Sequence, residues 1–564
     1  MSFLPRIGPP LTIGLLTIPV LAGIIGTILP AFGYLPALGG AGFSTTPFLM
    51  LFNEPGIWRS AWLSLATGLG ASFVALIIVM LFLAAASPKA LTRISSIMSP
   101  LLSVPHAAAA FGLAFLIAPT GMLSRIISPD LTGWQSPPDL LIVNDSMGLT
   151  LTAGLIAKEL PFLLLIALAA LPQIPVRNSR QISASLGYGL IMGFILTVWP
   201  GLYRQIRLGV FAVIAFSTSV VDVALILGPQ SPATLSVRLV GWMNDPDLSL
   251  RFMAAAGALM QLGVTVIAFL IWLGLENIGV RLRGFLGGNG TRFAHDTPLR
   301  FAGVTAMLLP AFTLLGGLMT LALWSISGLW QFPDAWPSSV TLKGWSDTSA
   351  RLFTPLITTI ELGILASIIA SVLAVLCLMR EDETLSSQSF VQRHSLAIIY
   401  LPLLVPQAAF LFGLQFLFVS LQIDGMFLSL VAAHLVFVTP YVFLSLSDPW
   451  RAMDRRYLKI GAALGKSPWQ SFFSIRGPML LKAILSAIAL GFAVSAAQYL
   501  ATILIGAGRL TTITTEAVAL SSGGNRRVIG IYAFVQMLLP VLAFAFASLV
   551  PAYIWRNRRG LNGH

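Results

Sequence analysis

Four long apolar stretches of the chain carry ionisable residues: Lys158 and Glu159 in 147–171, Asp222 in 202–228, Glu361 in 353–379 and His434 in 425–447. Such groups are costly in hydrocarbon. They serve solute pathways and proton relays, or hydrogen bonds that fix helix packing. Adjacent helical residues point about 100° apart, so Lys158 and Glu159 do not face each other, and either can instead meet another helix. Asp222 falls 22 residues beyond Pro200, near the outer end of its stretch, where it would line the mouth of a pathway. Its counterpart in the second half of the chain falls near Gln498 and Tyr499. Carboxylates beside aromatics favour a cationic solute. Packing by interhelix hydrogen bonds is equally open for each of these residues.

Other chemistry is thinner. The segment TTITTEAVALSSGGNRR (511–527) holds Glu516. It either meets a solute-delivery protein, dips toward the pathway or is a solvated loop. GAALGKS (461–467) imitates a phosphate-binding loop, but that pattern needs glycine where Ile460 stands and a strand before it. The five histidines form no metal-ligand cluster, and no Ser/His/Asp constellation stands out. Neither a catalytic residue nor a metal is expected. The single cysteine, Cys377, lies in an apolar run and reads as a small core residue.

The elements that must position these residues are spans. The 564 residues are 57% hydrophobic and 9% charged, with mean hydropathy +0.89, which excludes an ordinary soluble domain. Twelve apolar runs approach or exceed the roughly 20 residues that cross a bilayer as helix: 11–32, 58–86, 98–118, 147–171, 202–228, 252–275, 301–325, 353–379, 395–419, 425–447, 479–506 and 528–555. They are too long and too uniformly apolar for barrel strands. An all-α membrane protein of about twelve helices is expected. The first run lacks a small-residue cleavage site after it and reads as a retained span.

The net charge of +13 is topological. With a cytoplasmic N-terminus, 23 Lys and Arg fall on inner loops and flanks, Arg393, Arg558 and Arg559 among them, against 9 outside. This bias places both termini in the cytoplasm and removes the need for a nucleic-acid partner.

The chain is internally duplicated. VPHAAAAFGLAFLI (104–117) recurs as VPQAAFLFGLQFLF (405–418), and ISASLG (182–187) as IGAALG (460–465). Gly187 to Pro200 and Gly465 to Pro478 are both 13 residues; Pro200 to Gly228 and Pro478 to Gly506 are both 28. Each half holds six spans, an even number, so the halves run parallel and are related by an axis along the membrane normal. The expected domains are 1–277 and 301–564, joined by a Gly- and Arg-rich linker, 278–300. The first half carries an extra outer loop near 119–146.

Between the fourth and fifth span of each half lies a loop with its own pattern. KIGAALGKSPWQSFFSIRGP (459–478) resembles the cytoplasmic loop of binding-protein-dependent ABC importer permeases, which reads E-A-A, three residues, Gly, nine residues, Ile, one residue, Leu-Pro. Gly465, Ile475 and Pro478 match it. Lys459-Ile460-Gly461 and Gly477 depart from it. QISASLGYGLIMGFILTVWP (181–200) matches at Gly187 and Pro200, with Gln181-Ile182-Ser183, Thr197 and Trp199 at the other positions. The whole chain resembles single-chain fusions of two type I permease domains, in a group of uncharacterised bacterial importers labelled thiamine-type. The segments 217–237 and 491–524 carry that closer likeness.

The resemblance implies that each loop forms a short helix docking in a groove of a cytoplasmic ATPase. The implied coupling residues are Ser183, Ala184, Ser185, Leu186, Gly187 and Tyr188 in the first copy, and Gly461, Ala462, Ala463, Leu464, Gly465, Lys466 and Ser467 in the second. Glycine suits a positive-φ turn, and proline suits the first turn of the next helix. The apolar residues 188–196 are too few to cross a bilayer and read as a protein interface, or else as a helix lying on lipid. The resemblance further implies two ATPase subunits that carry the ATP, a periplasmic substrate-binding protein, a bacterial inner-membrane location and alternating access for a small solute, thiamine-like or otherwise cationic. An ion-gradient-driven transporter with twelve spans is the alternative. A non-transporting membrane scaffold or sensor is a third reading.

Overall fold

The computed structural model describes residues 4–383 and 390–556. Arg558 and Arg559 lie outside the described residues, as does the side chain of Arg393. Among the described residues, nine helices are long and apolar enough to cross a membrane, and up to eleven if each of two bent pairs is one span. Each of the twelve expected runs coincides with a helix or with a broken pair of helices.

In the first half the principal helices are α1 (Leu4–Ala31), α2 (Ile57–Ala85), α3 (Pro88–Leu102), α4 (His106–Ile117), α5 (Leu149–Ala170), α6 (Val176–Ser185), α7 (Leu190–Thr197), α8 (Trp199–Ser219), α9 (Asp222–Leu227), α10 (Leu235–Met243) and α11 (Leu250–Gly288). The second half repeats the order. Its helices are α12 (Thr297–Ile326), α13 (Lys343–Glu383), α14 (Phe390–Leu404), α15 (Gln407–Ser420), α16 (Phe427–Ala452), α17 (Arg456–Ala463), a short-helix segment 468–479 with a π-turn at Phe472–Arg476, α18 (Leu481–Ala496), α19 (Leu500–Ile505), α20 (Ile513–Ala519) and α21 (Arg526–Ile554). Helix α11 continues through Gly288, so only 289–296 of the expected linker is non-helical.

The halves exchange their first spans. Helix α1 packs on α13 and α15 of the second half, and α12 packs on α2 and α4 of the first. The duplicated F-G-L motif makes this possible. A Cβ on Gly112 of α4 would lie 2.9 Å from the carbonyl carbon of Gly317 on α12, and one on Gly413 of α15 would lie 1.9 Å from the Gly23 oxygen on α1. Lipid tails give helices no hydrophobic reason to associate, so backbone-close contact at small residues supplies the dispersion energy. The Thr27 hydroxyl accepts from the Gly413 N–H at 3.0 Å.

Four of the expected spans are broken, which corrects their reading as single helices. Pro105 and Pro406 force the preceding valines out of helical geometry. The Ala397–Leu404 and Gln407–Ser420 pair bends by 88°. The other two breaks, at 220–221 and 497–499, contain no proline. Their freed carbonyls are met by side chains: Ser236 Oγ donates to Val220 O at 2.7 Å, and Gln261 Nε2 to Thr218 O at 3.0 Å. In the second half Thr514 Oγ1 donates to Ala496 O, and Gln536 Nε2 to that Thr514 hydroxyl at 2.7 Å. Ser236 and Thr514 are 278 residues apart, the spacing of Gly187 and Gly465. Unmet backbone groups are costly away from water, so these hydroxyls and amides are what make the breaks tolerable.

Candidate functional site

All four breaks face one cavity of about 210 Å³ between the halves. From the first half it is lined by Ser103, Val104, Pro105, His106, Lys158, Glu159, Phe216 and Asp222; from the second by Val405, Gln407, Phe437, Tyr441, Gln498 and Tyr499. Of the expected pathway residues it gathers Lys158, Glu159, Asp222, Gln498 and Tyr499. Asp222 is corrected in setting: it opens the short helix α9 after the break and does not ride on a continuous span. Lys158 and Glu159 do diverge. Lys158 Nζ donates to Leu101 O and Leu102 O, the C-terminal carbonyls of α3, at 3.2 and 3.1 Å. Glu159 Oε1 stands 3.2 Å from His106 Nε2.

Three expected pathway residues are elsewhere. His434 is fully buried, with Nδ1 2.9 Å from Ser495 Oγ and Nε2 3.1 Å from Thr502 Oγ1; both ring nitrogens are used in packing α16 on α18 and α19. Glu361 lies on an exposed face of α13. Glu516 lies on α20, which packs on α21 through buried Ile513, Ala517 and Val518, so its segment is no plain loop. Neither carboxylate lines the cavity. His106, Gln407 and Tyr441 were missed. The duplicated Val-Pro step before His106 and Gln407 was the available signal, because a proline inside an apolar run announces a break.

The two loops fold alike. Each short helix, α6 or α17, ends at a left-handed glycine, Gly187 at φ +80° and Gly465 at φ +73°. The following segment folds back on it. A Cβ on Gly193 would lie 2.5 Å from Ser183 Oγ, and one on Gly461 would lie 2.8 Å from Ile475 Cδ1 and 3.1 Å from Ser471 Oγ. The small and hydroxyl partners have changed places between copies. Pro200 stands in the first turn of α8, as expected; Pro478 instead stands in the short turn Gly477–Met479, before the 81° bend into α18. Ser467 starts the helical segment from Pro468 with a capping box to Gln470, so GAALGKS spans a helix end and a turn.

The apolar residues at 188–196 need another explanation than the expected interface or lipid contact. Ile191, Met192 and Phe194 are buried within this chain, where α7 packs on α2 and α6. Of that stretch Leu190 stays exposed, and the exposed apolar residues of the loops include Ile182 and Leu186 in the first copy and Ile460, Leu464 and Phe473 in the second. The Ile182–Leu186 and Ile460–Leu464 pairs are in register, 278 residues apart, and i,i+4 spacing puts each pair on one helix face.

The loops are anchored differently. Arg180 donates to Leu83 O and Ala84 O at the end of α2 at 3.0 and 3.3 Å. The 289–296 connection lies on the first loop: Gly189 N donates to Arg292 O at 3.2 Å, Ile191 N to Asp296 Oδ2 at 2.8 Å, and the Arg292 guanidinium sits 4.5 Å from the Tyr188 ring centre. In the second copy Asp382 of α13 takes Arg476, Arg455 and the Trp450 indole, and Glu381 takes Arg451 at 2.9 Å.

Exchanged first spans, paired loops with glycine-ended helices and a cavity at the junction of two parallel repeats define a membrane permease. The chain belongs to the inner-membrane permeases of binding-protein-dependent ABC transporters. The family model described as "Binding-protein-dependent transport system inner membrane component" matches residues 366–555. Along almost its full length the chain is similar to the inner membrane ABC transporter permease protein YnjC of Escherichia coli (strain K12), 30% identical over 523 residues, 92% of this chain and 93% of that one. A spermidine/putrescine transport system permease PotC homolog of Mycoplasma pneumoniae is 25% identical over 199 residues, 35% of this chain and 68% of that one. The putrescine transport system permease PotI of E. coli is 34% identical over 104 residues, 17% of this chain and 37% of that one. The chain is thus a multi-pass inner-membrane protein.

Proposed function

We propose that this chain alone supplies both membrane domains of an importer, as units 1–277 and 301–564 joined by 278–300, with both termini cytoplasmic. Two copies of a separate ATPase bind and hydrolyse ATP. A periplasmic binding protein delivers a small solute, for which the thiamine-like compounds implied by the resemblance are one candidate. The observation that carries this reading is the pair of matched exposed faces, Ile182 with Leu186 and Ile460 with Leu464, each on a helix ended by a positive-φ glycine. Apolar residues so displayed on polar loops suit a groove on a partner. ATP-driven closure of the ATPases would move both loops, and the halves would rock about the cavity.

Co-purification with a cytoplasmic ABC ATPase of the same organism tests it. Leu186→Glu with Leu464→Glu is expected to abolish assembly, and acidic replacements at Gly187 and Gly465 to uncouple hydrolysis from transport. Intact assembly and coupling in both double variants would overturn the loop assignment. The cavity carboxylates keep the ion-gradient reading in view; uptake that stops when the proton gradient collapses at constant ATP would favour it.

A further inference from the structure

The acidic and basic side chains of the cavity come from the first half, which also supplies the Ser103 and Ser219 hydroxyls, and its amides and phenols come from the second. His106, Lys158, Glu159 and Asp222 belong to the first; Gln407, Tyr441, Gln498 and Tyr499 to the second. The Lys158 ammonium is turned onto the two terminal carbonyls of α3, where the helix dipole is negative, and two of its three donors are used there. Glu159 is met on one side by His106. Asp222 is only 7% exposed; backbone N–H groups at the start of α9 meet its carboxylate, and among the described residues no side chain donates a hydrogen bond to it. Across the cavity the Gln498 Oε1 atom is buried without a partner. A buried carboxylate and a buried amide oxygen, both acceptors, are left facing a space walled by Phe216, Phe437, Tyr441 and Tyr499. A buried acceptor without a donor, and a buried carboxylate with backbone donors alone, are both expensive in such a setting. A cation with N–H or polarised C–H donors satisfies both, and aromatic faces add to its binding. An anion would meet two carboxylates at low dielectric.

We propose that this cavity is a binding site within the permease for a small organic cation. Asp222 and Glu159 supply the charge from the first half, and Gln498 with Tyr441 and Tyr499 supply acceptors and ring faces from the second. The proposal rests on the transport reading above. Because neither half holds a complete site, rocking the halves apart dismantles it, which couples release of the cation to the motion.

The experiment uses the full chain in lipid nanodiscs with its ATPase, and measures binding by titration calorimetry. The probes are choline and putrescine, each against its neutral isostere, 3,3-dimethylbutan-1-ol and butane-1,4-diol. At least one cation is expected to bind, about ten-fold or more tighter than its isostere, one such factor being the scale of a single charge contact. Asp222→Asn is expected to remove most of that preference, and Glu361→Gln, outside the cavity, to leave it unchanged. Absence of binding by both cations, equal binding of cation and isostere, or an unchanged preference in Asp222→Asn overturns the proposal. Should Asp222→Asn not assemble, Gln498→Leu and the wild-type cation-to-isostere ratio decide it. ATP hydrolysis and ATPase retention are read on the same particles: intact coupling without cation preference sinks the cavity site alone, whereas loss of ATPase binding sinks the transport reading.

Discussion

The Ser183 hydroxyl occupies the space a side chain at Gly193 would need, since a Cβ there would lie 2.5 Å from Ser183 Oγ. In the second loop the equivalent contact is made the other way round, by Gly461 against Ser471. One small residue and one hydroxyl fill the turn in both copies, so the interaction is kept while its residues trade sides. Gly193→Ser alone is expected to overpack the first loop, costing about 1–3 kcal/mol. Adding Ser183→Gly recreates the second loop's arrangement and is expected to recover most of the loss. Thermal unfolding of the four corners of this double-mutant cycle measures it; additive effects would show that the residues are uncoupled.

The exchanged spans depend on glycine. Gly413→Ala puts a Cβ within 1.9 Å of the Gly23 oxygen, and Gly112→Ala puts one within 2.9 Å of the Gly317 carbonyl carbon. Both are backbone atoms that cannot rotate away. Each variant is expected to lose several degrees of melting temperature in detergent, Gly413→Ala more. Gly70→Ala, with nothing within 4 Å of the new Cβ, is expected to be silent. Equal melting temperatures for all three would refute the close-packing account.

The proline-free breaks should fail when their hydroxyls go. Ser236→Ala strands the Val220 carbonyl and Thr514→Val strands the Ala496 carbonyl. Loss of the partner of a buried acceptor is worth about 1–3 kcal/mol. Either variant is expected to unfold earlier and to raise amide exchange at Val221–Val223 or Gln498–Leu500. Unchanged exchange at both breaks would show that water replaces the hydroxyl.

The loops should answer salt differently. The second carries Arg455, Arg456, Lys459 and Lys466 on or beside α17 and is anchored through Asp382 and Glu381. The first relies on arginine-to-carbonyl bonds and buried Ile191 and Phe194. Attraction between exposed charges fades beyond about 8–10 Å at physiological salt and over shorter range at higher salt, whereas apolar burial is not screened. With one loop disabled at a time, ATPase docking through the second is expected to weaken more between low and high salt. Identical salt slopes for the two loops would contradict this.

The class is legible in the residues alone. Apolar run length gave the helices, because a bilayer fixes how much helix must be apolar. Ungapped spacings gave the duplication, and with it the equivalence of Gly187 and Gly465, since local turn geometry needs only the residue in question. Tertiary structure decided what those elements meet. Repeat spacing cannot show that α1 crosses to the other half, because that depends on which glycine surfaces come into contact. The proline breaks were legible at Val104-Pro105 and Val405-Pro406. Those at 220–221 and 497–499 were not, because they are held by hydroxyls and amides remote in sequence. For the same reason His434, an isolated intramembrane histidine like any other on paper, proved a packing residue between two hydroxyls. Asp222, Glu159, Gln498 and Tyr499 came to line one cavity. The same kind of side chain packs or recognises according to whether its neighbours in space already satisfy it.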